Sequence, residues 1–242
     1  MTKYRLDIAL VKRKITQTRS QAENIIRLGE VRIEGKVINK PGYFVKDSAN
    51  ITITAEDHYV SRAGLKLASI AKDFLLDFKN KVVLDVGSST GGFTDFALQN
   101  GAKRVIAVDV GKDQLHPSLH NNDKIDLYEQ TDIRDFINNK VVKLDVDIIV
   151  IDVSFISLKE ILPFIKTICK NKTEVVAMLK PQFEIGANAK HKGVIKNEKL
   201  RRDVIKDFEA WLKSSFKIIN KSDSKIAGSK GNLERFYLLK AI

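Results

Sequence analysis

Residues 81–93 read K-V-V-L-D-V-G-S-S-T-G-G-F, and this stretch decides the fold of the chain. Its first half is a short apolar run typical of a buried strand, and glycines follow immediately. Residues 94–99 then predict a helix that ends near Gly101. A strand, a glycine turn and a helix N-terminus together form a site suited to an anionic or polar small molecule.

The spacing of the glycines excludes two kinds of phosphate site. A loop of the type G-x-x-x-x-G-K would use Gly87 and Gly92, but the next residue is not the lysine that such a loop requires. The dinucleotide fingerprint G-x-G-x-x-G requires a glycine where this chain has Ser89. What remains is the D-x-G-x-x-x-G loop from Asp85 to Gly91, a loop used for S-adenosylmethionine. A plain connection between strand and helix is the alternative interpretation.

Carboxylates follow two further predicted strands. Residues 104–109, R-V-I-A-V-D, predict a buried strand that ends in Asp109. In α/β nucleotide-binding folds, an acidic residue about 20 positions past the glycines accepts hydrogen bonds from the ribose hydroxyls, so we predict that role for Asp109. The alternative is a carboxylate that only terminates its strand. Asp132 follows a strand predicted at 125–129, at the end where open α/β sheets bind ligands.

Composition and charge narrow the class of protein. The chain has 242 residues, a formal net charge of +12 and a pI of about 9.6. This length suits one full domain and a small module, and the charge favours nucleic acid over a membrane as partner. The single cysteine, Cys169, and the histidine spacing indicate no disulfide framework and no metal site. Without an apolar signal core or a membrane-spanning run, we expect a cytoplasmic protein.

Residues 1–57 are predicted to form a separate α+β module. Apolar residues at helical spacing predict two short helices, the second ending before Gly29. Residues 31–38, V-R-I-E-G-K-V-I, alternate around a Glu34-Gly35 turn and predict a hairpin, with another strand at 51–53. Lysines and arginines are spread over these elements, at positions 3, 5, 12, 13, 14, 19, 27, 32, 36 and 40. An ordinary solvated surface is the alternative reading of that spread.

Residues 58–62 are a predicted linker, and residues 63–242 form the second predicted domain, in which strands alternate with helices. Strands are predicted at 82–86, 104–109, 125–129, 144–152, 175–179, 216–219 and 235–239. The alternation predicts an α/β domain, Rossmann-like, with a mainly parallel sheet, helices on both faces and an antiparallel pair at its end.

Three helices of this domain have recognisable signals. Ser61 is expected to cap a helix whose apolar face extends to Phe78, and Ser157 with Glu160 forms a capping box for another. A basic loop at 185–196 precedes the third helix, at 200–212.

Four polar residues are expected to converge at the carboxyl edge of the sheet: Lys66, Asp152, Lys180 and Glu234.

The first module resembles a known RNA-binding domain. Its sequence contains R-L-D-x-x-L-V and then T-R-S-Q-A-E-N-I-I-R-L-G-E-V-R-I-E-G-K-V. This pattern is similar to that of the S-four-type domain, the two-helix-plus-hairpin module of a small-subunit ribosomal protein. The resemblance implies contacts to structured RNA, made mainly to backbone phosphates.

Seven motifs in order resemble those of the TlyA family, which joins an S-four-type module to a methyltransferase domain of the FtsJ kind. They are V-S-R-A-G-L-K-L, L-D-V-G-S-S-T-G-G-F-T-D, V-D-V-G-K-D-Q-L, I-D-V-S-F-I-S-L, L-K-P-Q-F-E, K-G-V-I-K and K-G-N-L-E. The resemblance implies S-adenosylmethionine-dependent 2′-O-methylation of cytidine in ribosomal RNA, with ribosomal subunits as substrate.

The same resemblance assigns the site residues. The family's Lys-Asp-Lys-Glu tetrad falls on Lys66, Asp152, Lys180 and Glu234. With Asp85 of the glycine loop, the predicted cofactor-binding residues are Asp85, Gly87, Ser88, Gly91, Asp109 and Asp132. We expect no metal, since the sulfonium is already an activated leaving group, no membrane partner, and a monomer in the absence of RNA.

The residue types suit this chemistry. A ribose 2′-hydroxyl is a poor nucleophile because it keeps its proton well above neutral pH. A lysine serves as base only after losing its own proton, which burial and a second nearby ammonium both favour. We assign that role to Lys180, with Asp152 orienting it, and expect Lys66 and Glu234 to position the ribose and balance charge.

Three other functions are compatible with parts of the sequence. One is a catalytically inactive RNA-binding factor in ribosome assembly, against which the intact glycine loop and the complete tetrad argue. Another is a cytolytic haemolysin, a label this family has also received, but no secretion signal or spanning segment supports it. The third is an S-four-type module joined to another RNA-modifying enzyme, such as a pseudouridine synthase, which the glycine loop opposes.

Overall fold

The computed structural model describes residues 3–16, 18–27, 29–53, 59–139, 145–185, 194–195, 197–226, 228 and 231–242. The chain forms two compact units, Met1–Arg62 and Ala63–Ile242. Each unit has its own hydrophobic core. Among the described helices, none combines the length and the apolar character needed to cross a membrane.

The first unit packs two helices against two small antiparallel sheets. Its elements are β1 Lys3–Arg5, α1 Leu6–Lys12, α2 Arg19–Arg27, β2 Val31–Ile33, β3 Lys36–Val37, β4 Phe44–Lys46 and β5 Ile51–Ile53. The predicted helices, hairpin and final strand are present, and Glu34 and Gly35 make the hairpin turn with φ angles of 48° and 78°. A ribbon of β1 and β4 was not predicted, because strands of three residues are too short to show alternation.

A buried carboxylate fixes the start of α1. Asp7 is fully buried and accepts hydrogen bonds from Arg5 (2.9 and 3.1 Å) and from Nε of Arg19 (2.8 Å). The Arg5 hydrogen bonds are the main reason that the pKa of Asp7 falls to about 2. Because Arg19 begins α2, this cluster ties the two helices together. These two arginines are therefore part of the fold of the unit.

The second unit is a three-layer α/β domain. Its elements are α3 Arg62–Ala71, β6 Val82–Val86, α4 Gly92–Gln99, β7 Arg104–Val108, β8 Ile125–Tyr128, α5 Ile133–Asn138, β9 Ile148–Ile151, α6 Leu158–Ile168, β10 Glu174–Leu179, α7 Pro181–Glu184, α8 Glu198–Leu212, β11 Phe216–Asp223 and β12 Arg235–Ala241. The described strands form one sheet in the order β11-β12-β10-β9-β6-β7-β8. Strands β6 to β10 are parallel and β12 is antiparallel to both its neighbours, which confirms the predicted fold class.

The strand order creates a crevice at the carboxyl edge of the sheet. From β6 the chain winds outward through β7 to β8, and then crosses back to β9 on the other side of β6. The connections that follow β6 and β9 leave in opposite directions, so a crevice opens between these connections, above the carboxyl ends of the two strands. Open α/β sheets bind their ligands at such a switch point.

Several predicted boundaries differ from the structure. Helix α3 ends at Ala71, so Phe74 and Phe78 pack into the core from the turns that follow it. Positive φ angles of 55° at Leu75 and 60° at Asn80 reverse the chain there. Strand β9 begins at Ile148, later than the predicted 144, which itself lies outside the described residues, as does most of the predicted basic loop 185–196.

Gly87 holds the ends of β6 and β9 in close contact. It has a φ of +81°, and a Cβ at this position would stand 2.8 Å from the backbone oxygen of Asp152. Its N–H donates to the carbonyl of Val108 at 2.9 Å, at the end of β7. The glycine is therefore required both by its left-handed conformation and by the neighbouring backbone.

We predict that Gly87→Ala lowers the free energy of unfolding more than Gly231→Ala does. Gly231 has a φ of +90°, but no described atom lies within 4 Å of the Cβ it would gain. Both variants suffer the conformational strain of about 1 kcal/mol or more, and only Gly87→Ala also displaces backbone. Urea unfolding of the two variants measures the difference, and equal losses would contradict the role given to the Asp152 carbonyl.

Candidate active site

A cavity of about 340 Å³ occupies the switch point of the sheet. Its volume is within the range typical of small-molecule sites. The wall is built by the turns that follow β6, β7, β8 and β9. Polar lining residues include Ser89, Asp109, Gln114, Asp132, Asp152 and Ser154, and apolar ones include Val110, Phe155 and Ile156.

Asp109 occupies the position predicted from the sequence, on the cavity wall beyond β7. One carboxylate oxygen accepts the N–H of Ser89 at 2.8 Å, and the other accepts that of Gly111 at 2.6 Å. These bonds join the glycine turn to the end of β7 and fix the carboxylate. Each oxygen keeps a second lone pair, so Asp109 can still accept hydrogen bonds from a ligand.

Asp132 also lines the cavity, beyond β8, and has a second role. Its side chain caps α5 by accepting the N–H of Arg134 at 2.8 Å. The guanidinium of Arg134 also donates to both carboxylate oxygens, at 3.0 and 2.7 Å, and holds the pKa of Asp132 below its ordinary value. Asp132 is thereby fixed in one orientation as an anion.

The remaining predicted cofactor residues are Asp85, Gly87, Ser88 and Gly91. Gly87 lines the cavity, whereas Asp85, Ser88 and Gly91 are absent from its described lining. Asp85 is fully buried, and Thr94 Oγ1 donates to its Oδ2 at 2.7 Å. Its other oxygen, and the buried hydroxyl of Ser88, have no hydrogen-bond partner among the described residues.

Burial gives Asp85 an unusual protonation state. Loss of solvent raises its pKa from 3.8 to about 7, the bond from Thr94 opposes this rise, and the nearby charge of Asp152 adds to it. A carboxyl group with such a pKa is mostly protonated below neutral pH, and in that form it can donate a hydrogen bond.

Two ion pairs contain the four residues predicted to be catalytic. Lys180 Nζ lies 2.5 Å from Asp152 Oδ1 and donates to Ser154 Oγ at 2.8 Å. Lys66 Nζ lies 2.5 Å from Glu234 Oε2, with only 10% and 5% of the two side chains exposed. Buried charges of this kind are tolerated only when paired, so each pair fixes the rotamers of its members.

The sheet explains why these residues share one edge. Asp152 and Lys180 directly follow β9 and β10, which are parallel. In the antiparallel pair of β10 and β12, Leu179 lies opposite Arg235. Lys180 and Glu234 are the next residues along the two strands, so they lie opposite each other just beyond this pair. Helix α3 brings Lys66 to Glu234. All four residues are therefore at the carboxyl edge, as predicted, and the structure adds which cation pairs with which carboxylate.

A carboxylate that the sequence did not reveal connects the segment after β10 to the segment after β9. Glu184 accepts hydrogen bonds from Ser157 Oγ and from the N–H of Leu158 (2.8 Å) at the start of α6. The predicted capping partner, Glu160, instead lies 3.8 Å from Arg134. Burial raises the pKa of Glu184, although its hydrogen bonds oppose the rise. Glu184 comes from 26 or 27 positions away, so no local spacing signals it.

Phe155 is a second site residue that the sequence analysis missed. It is 90% exposed, has a φ of +67° that is rare for an aromatic residue, and lies on the cavity rim. Its ring packs at 5.1 Å from that of Phe183. Among the described residues, no group of His, Cys, Asp and Glu side chains is arranged to hold a metal ion.

We predict strong coupling between Lys66 and Glu234 in stability. Lys66→Met or Glu234→Gln alone should lower the free energy of unfolding by about 3–5 kcal/mol, because each leaves a buried group without its partner. The double variant should lose less than the sum of the two. As a control, Lys225→Met should cost about 1 kcal/mol or less, because its pair with Asp73 is exposed. Additive losses in urea unfolding would contradict a coupled pair.

We also predict that Asp85 makes stability depend on pH. Between about pH 4 and pH 7 the unfolded chain loses the Asp85 proton while the folded chain keeps it, so the free energy of unfolding falls as the pH rises through this window. Asp85→Asn lacks this titration and should gain stability relative to the wild type across the same range. Urea unfolding as a function of pH tests this, with exposed Asp123→Asn as control. Parallel curves for wild type and Asp85→Asn would contradict it.

Comparison with known proteins identifies the family of the chain. Residues 59–241 match the family model of FtsJ-like methyltransferases, and residues 5–51 match that of the S4 domain. The 23S rRNA (cytidine-2′-O)-methyltransferase TlyA of Campylobacter jejuni is 36% identical, over 94% of this chain and 96% of that protein. Hemolysin A of Brachyspira hyodysenteriae is 37% identical, over 95% of this chain and 97% of its own length.

A solved structure has a similar fold and a similar sequence. A structure from Streptococcus thermophilus has a TM-score of 0.75 and 36% identity, and the match covers 100% of this chain and 89% of that one. The predicted resemblance is thus confirmed by family models, by curated relatives and by a solved structure. This chain belongs to the FtsJ-like methyltransferase family and carries an S4 domain in its N-terminal part.

Proposed function

We propose that this protein transfers a methyl group from S-adenosylmethionine to the ribose 2′-hydroxyl of a cytidine in ribosomal RNA. The observation that carries the proposal is the contact of Lys180 with Asp152, because Asp152 also lines the cavity at the switch point of the sheet. The reaction specified in the name of the Campylobacter relative supports the choice of nucleotide and atom. It takes place in the cytoplasm, on ribosomal subunits.

The cavity has the groups that S-adenosylmethionine requires. Asp109 offers free lone pairs to the ribose hydroxyls, and Asp132 provides a fixed anion in the same lining. Gly87 lines the cavity and leaves room for the amino-acid part. Asp85 and Ser88, before and after Gly87 in the chain, are buried next to it and have polar atoms without a described partner. When bound, the cofactor supplies a methyl group on a positively charged sulfur.

Lys180 acts as the base. In its neutral form its amine would take the proton of the 2′-hydroxyl, and Asp152 would stabilise the ammonium that results. The cofactor would supply the methyl group by breaking its sulfur–carbon bond, which leaves a neutral thioether. Ser154 accepts a hydrogen bond from the same amine and so limits its rotation. General-base catalysis of this kind contributes about 10²- to 10⁴-fold in rate.

The pair of Lys66 and Glu234 positions the ribose. Both side chains are nearly buried and held at 2.5 Å, so they form a rigid polar wall next to the base. Correct alignment of the hydroxyl with the methyl group contributes up to about 7–11 kcal/mol. For this reason we expect positioning to matter as much as proton removal.

The S4 domain holds the RNA. We assign residues 1–57 to RNA binding, 58–62 to the linker and 63–242 to methyl transfer. The charge of the chain supports this division of labour, since a net +12 attracts a polyanion. Contacts to phosphates bring the ribosomal RNA to the second domain without themselves selecting the sequence.

We predict that Lys180→Ala and Asp152→Ala lower the initial rate of methyl transfer by about 10²-fold or more. The assay is transfer of labelled methyl from S-adenosylmethionine to isolated ribosomal subunits, followed by mapping of the modified ribose. Lys159→Ala is the matched control, because Lys159 also lies after β9 and also pairs with a carboxylate, Asp207, away from the cavity.

Calorimetry with S-adenosylmethionine and thermal unfolding check that the Lys180→Ala variant still folds and binds the cofactor. Wild-type rates in both site variants would reject the catalytic assignment. Absence of transfer by the wild-type protein, despite cofactor binding, would favour an inactive assembly factor.

A further inference from the structure

The cations of the S4 domain divide into two groups that the sequence does not distinguish. Most of the arginines have partners inside the domain: Arg5 and Arg19 bind Asp7, Arg27 binds Glu23, and Arg13 donates to the carbonyls of Asp47 and Ala49. Lys12 lies over the ring of Tyr4 and 3.6 Å from Asp47. These side chains use their charge to hold the fold.

Two lysines without such partners form a cross-strand pair next to an exposed aromatic ring. Phe44 of β4 is 62% exposed. The register of the ribbon places Lys3 opposite Lys46, and Arg5 opposite Phe44. Within the described part of the domain, neither Lys3 nor Lys46 lies in an ion pair, and both are exposed.

The ribbon has one inner and one outer face. Tyr4 and Val45 lie opposite each other and pack on the core of the domain. Neighbouring residues in a strand alternate between faces, so Lys3, Phe44 and Lys46 share the outer one. Lys46 is two residues from Phe44 along the strand, about 7 Å away. An exposed ring and two unpaired ammonium groups therefore lie within the span of a few nucleotides.

We propose that the outer face of the β1–β4 ribbon binds RNA, with an unpaired base stacked on Phe44 and the adjoining phosphates contacted by Lys3 and Lys46. The inference rests on the proposed function, in which RNA is the substrate, and adds where and how part of it is held. Bases inside a duplex already have stacking partners, so the ring selects a base from a loop, bulge or end.

The charges favour RNA over a protein on this surface. Lysine is depleted at protein–protein interfaces, because burying an unpaired ammonium group is costly. A single-stranded nucleic acid supplies both a flat ring for Phe44 and negative charge for the lysines. Aromatic residues interleaved with cations are the usual platform for such strands.

The test is equilibrium binding of the full chain to isolated ribosomal subunits and to protein-free ribosomal RNA, at several salt concentrations. We expect Phe44→Leu to weaken binding to both by roughly 5- to 100-fold with an unchanged salt slope, because it keeps an apolar side chain and removes the ring. Phe44→Tyr keeps the ring and should bind within about two-fold of the wild type. Lys3→Ala and Lys46→Ala should each reduce the salt slope by about 1.

Val37→Ala is the matched control. Val37 is 48% exposed and follows Lys36, an exposed lysine in the same domain, but it has no ring to stack. A loss with Val37→Ala as large as with Phe44→Leu would overturn the proposal, as would wild-type binding of Phe44→Leu to protein-free RNA. A loss confined to whole subunits would indicate a protein partner and would also overturn it.

These outcomes are separable from those of the proposed function. If the wild-type protein binds ribosomal RNA but transfers no methyl group, the proposed reaction fails while the binding comparison still decides the role of Phe44. If it transfers methyl normally and Phe44→Leu binds as the wild type does, only the ribbon proposal fails.

Discussion

The close contact between the ends of β6 and β9 is the constraint on which the rest of the site depends. A Cβ at Gly87 would stand 2.8 Å from the Asp152 carbonyl, so only glycine lets the two strand ends meet without displacing backbone. That contact sets the floor of the cavity and the position of Asp152. The position of Asp152 in turn fixes that of Lys180, because Lys180 directly follows β10, the parallel neighbour of β9. One small residue thus determines where Lys180, the proposed base, lies relative to the cavity.

Ion pairs fix the side chains whose positions the backbone has set. Each buried lysine at this edge has one carboxylate partner at 2.5 Å, and an unpaired charge there would be too costly to keep. The carboxylate of Glu184, which follows β10, binds the N–H of Leu158 at the start of α6, 26 residues away in the chain. The segments that follow β9 and β10 are therefore held to each other independently of any ligand. The proposed reaction requires such preorganisation to align a hydroxyl with a methyl group.

The S4 domain uses charge in a different way. Its arginines are largely occupied with carboxylates and carbonyls of the domain, whereas lysines such as Lys3 and Lys46 have no ion-pair partner among the described residues. Guanidinium groups suit the fixed, forked contacts of a fold, and ammonium groups suit mobile contacts to phosphate. Net charge alone indicated a polyanionic partner, but it could not separate these two uses.

The sequence by itself determined the elements and the residue types, because periodicity, glycines and strand-end carboxylates are local signals. It predicted the glycine turn, Asp109, Asp132 and the four polar residues at the carboxyl edge. Only the tertiary structure decided that Lys180 pairs with Asp152 and Lys66 with Glu234, and that Glu184 rather than Glu160 binds the start of α6. Tertiary structure also decided that α3 ends at Ala71 and that β1 pairs with β4. These outcomes depend on strand order and register between residues far apart in the chain, which no local spacing encodes.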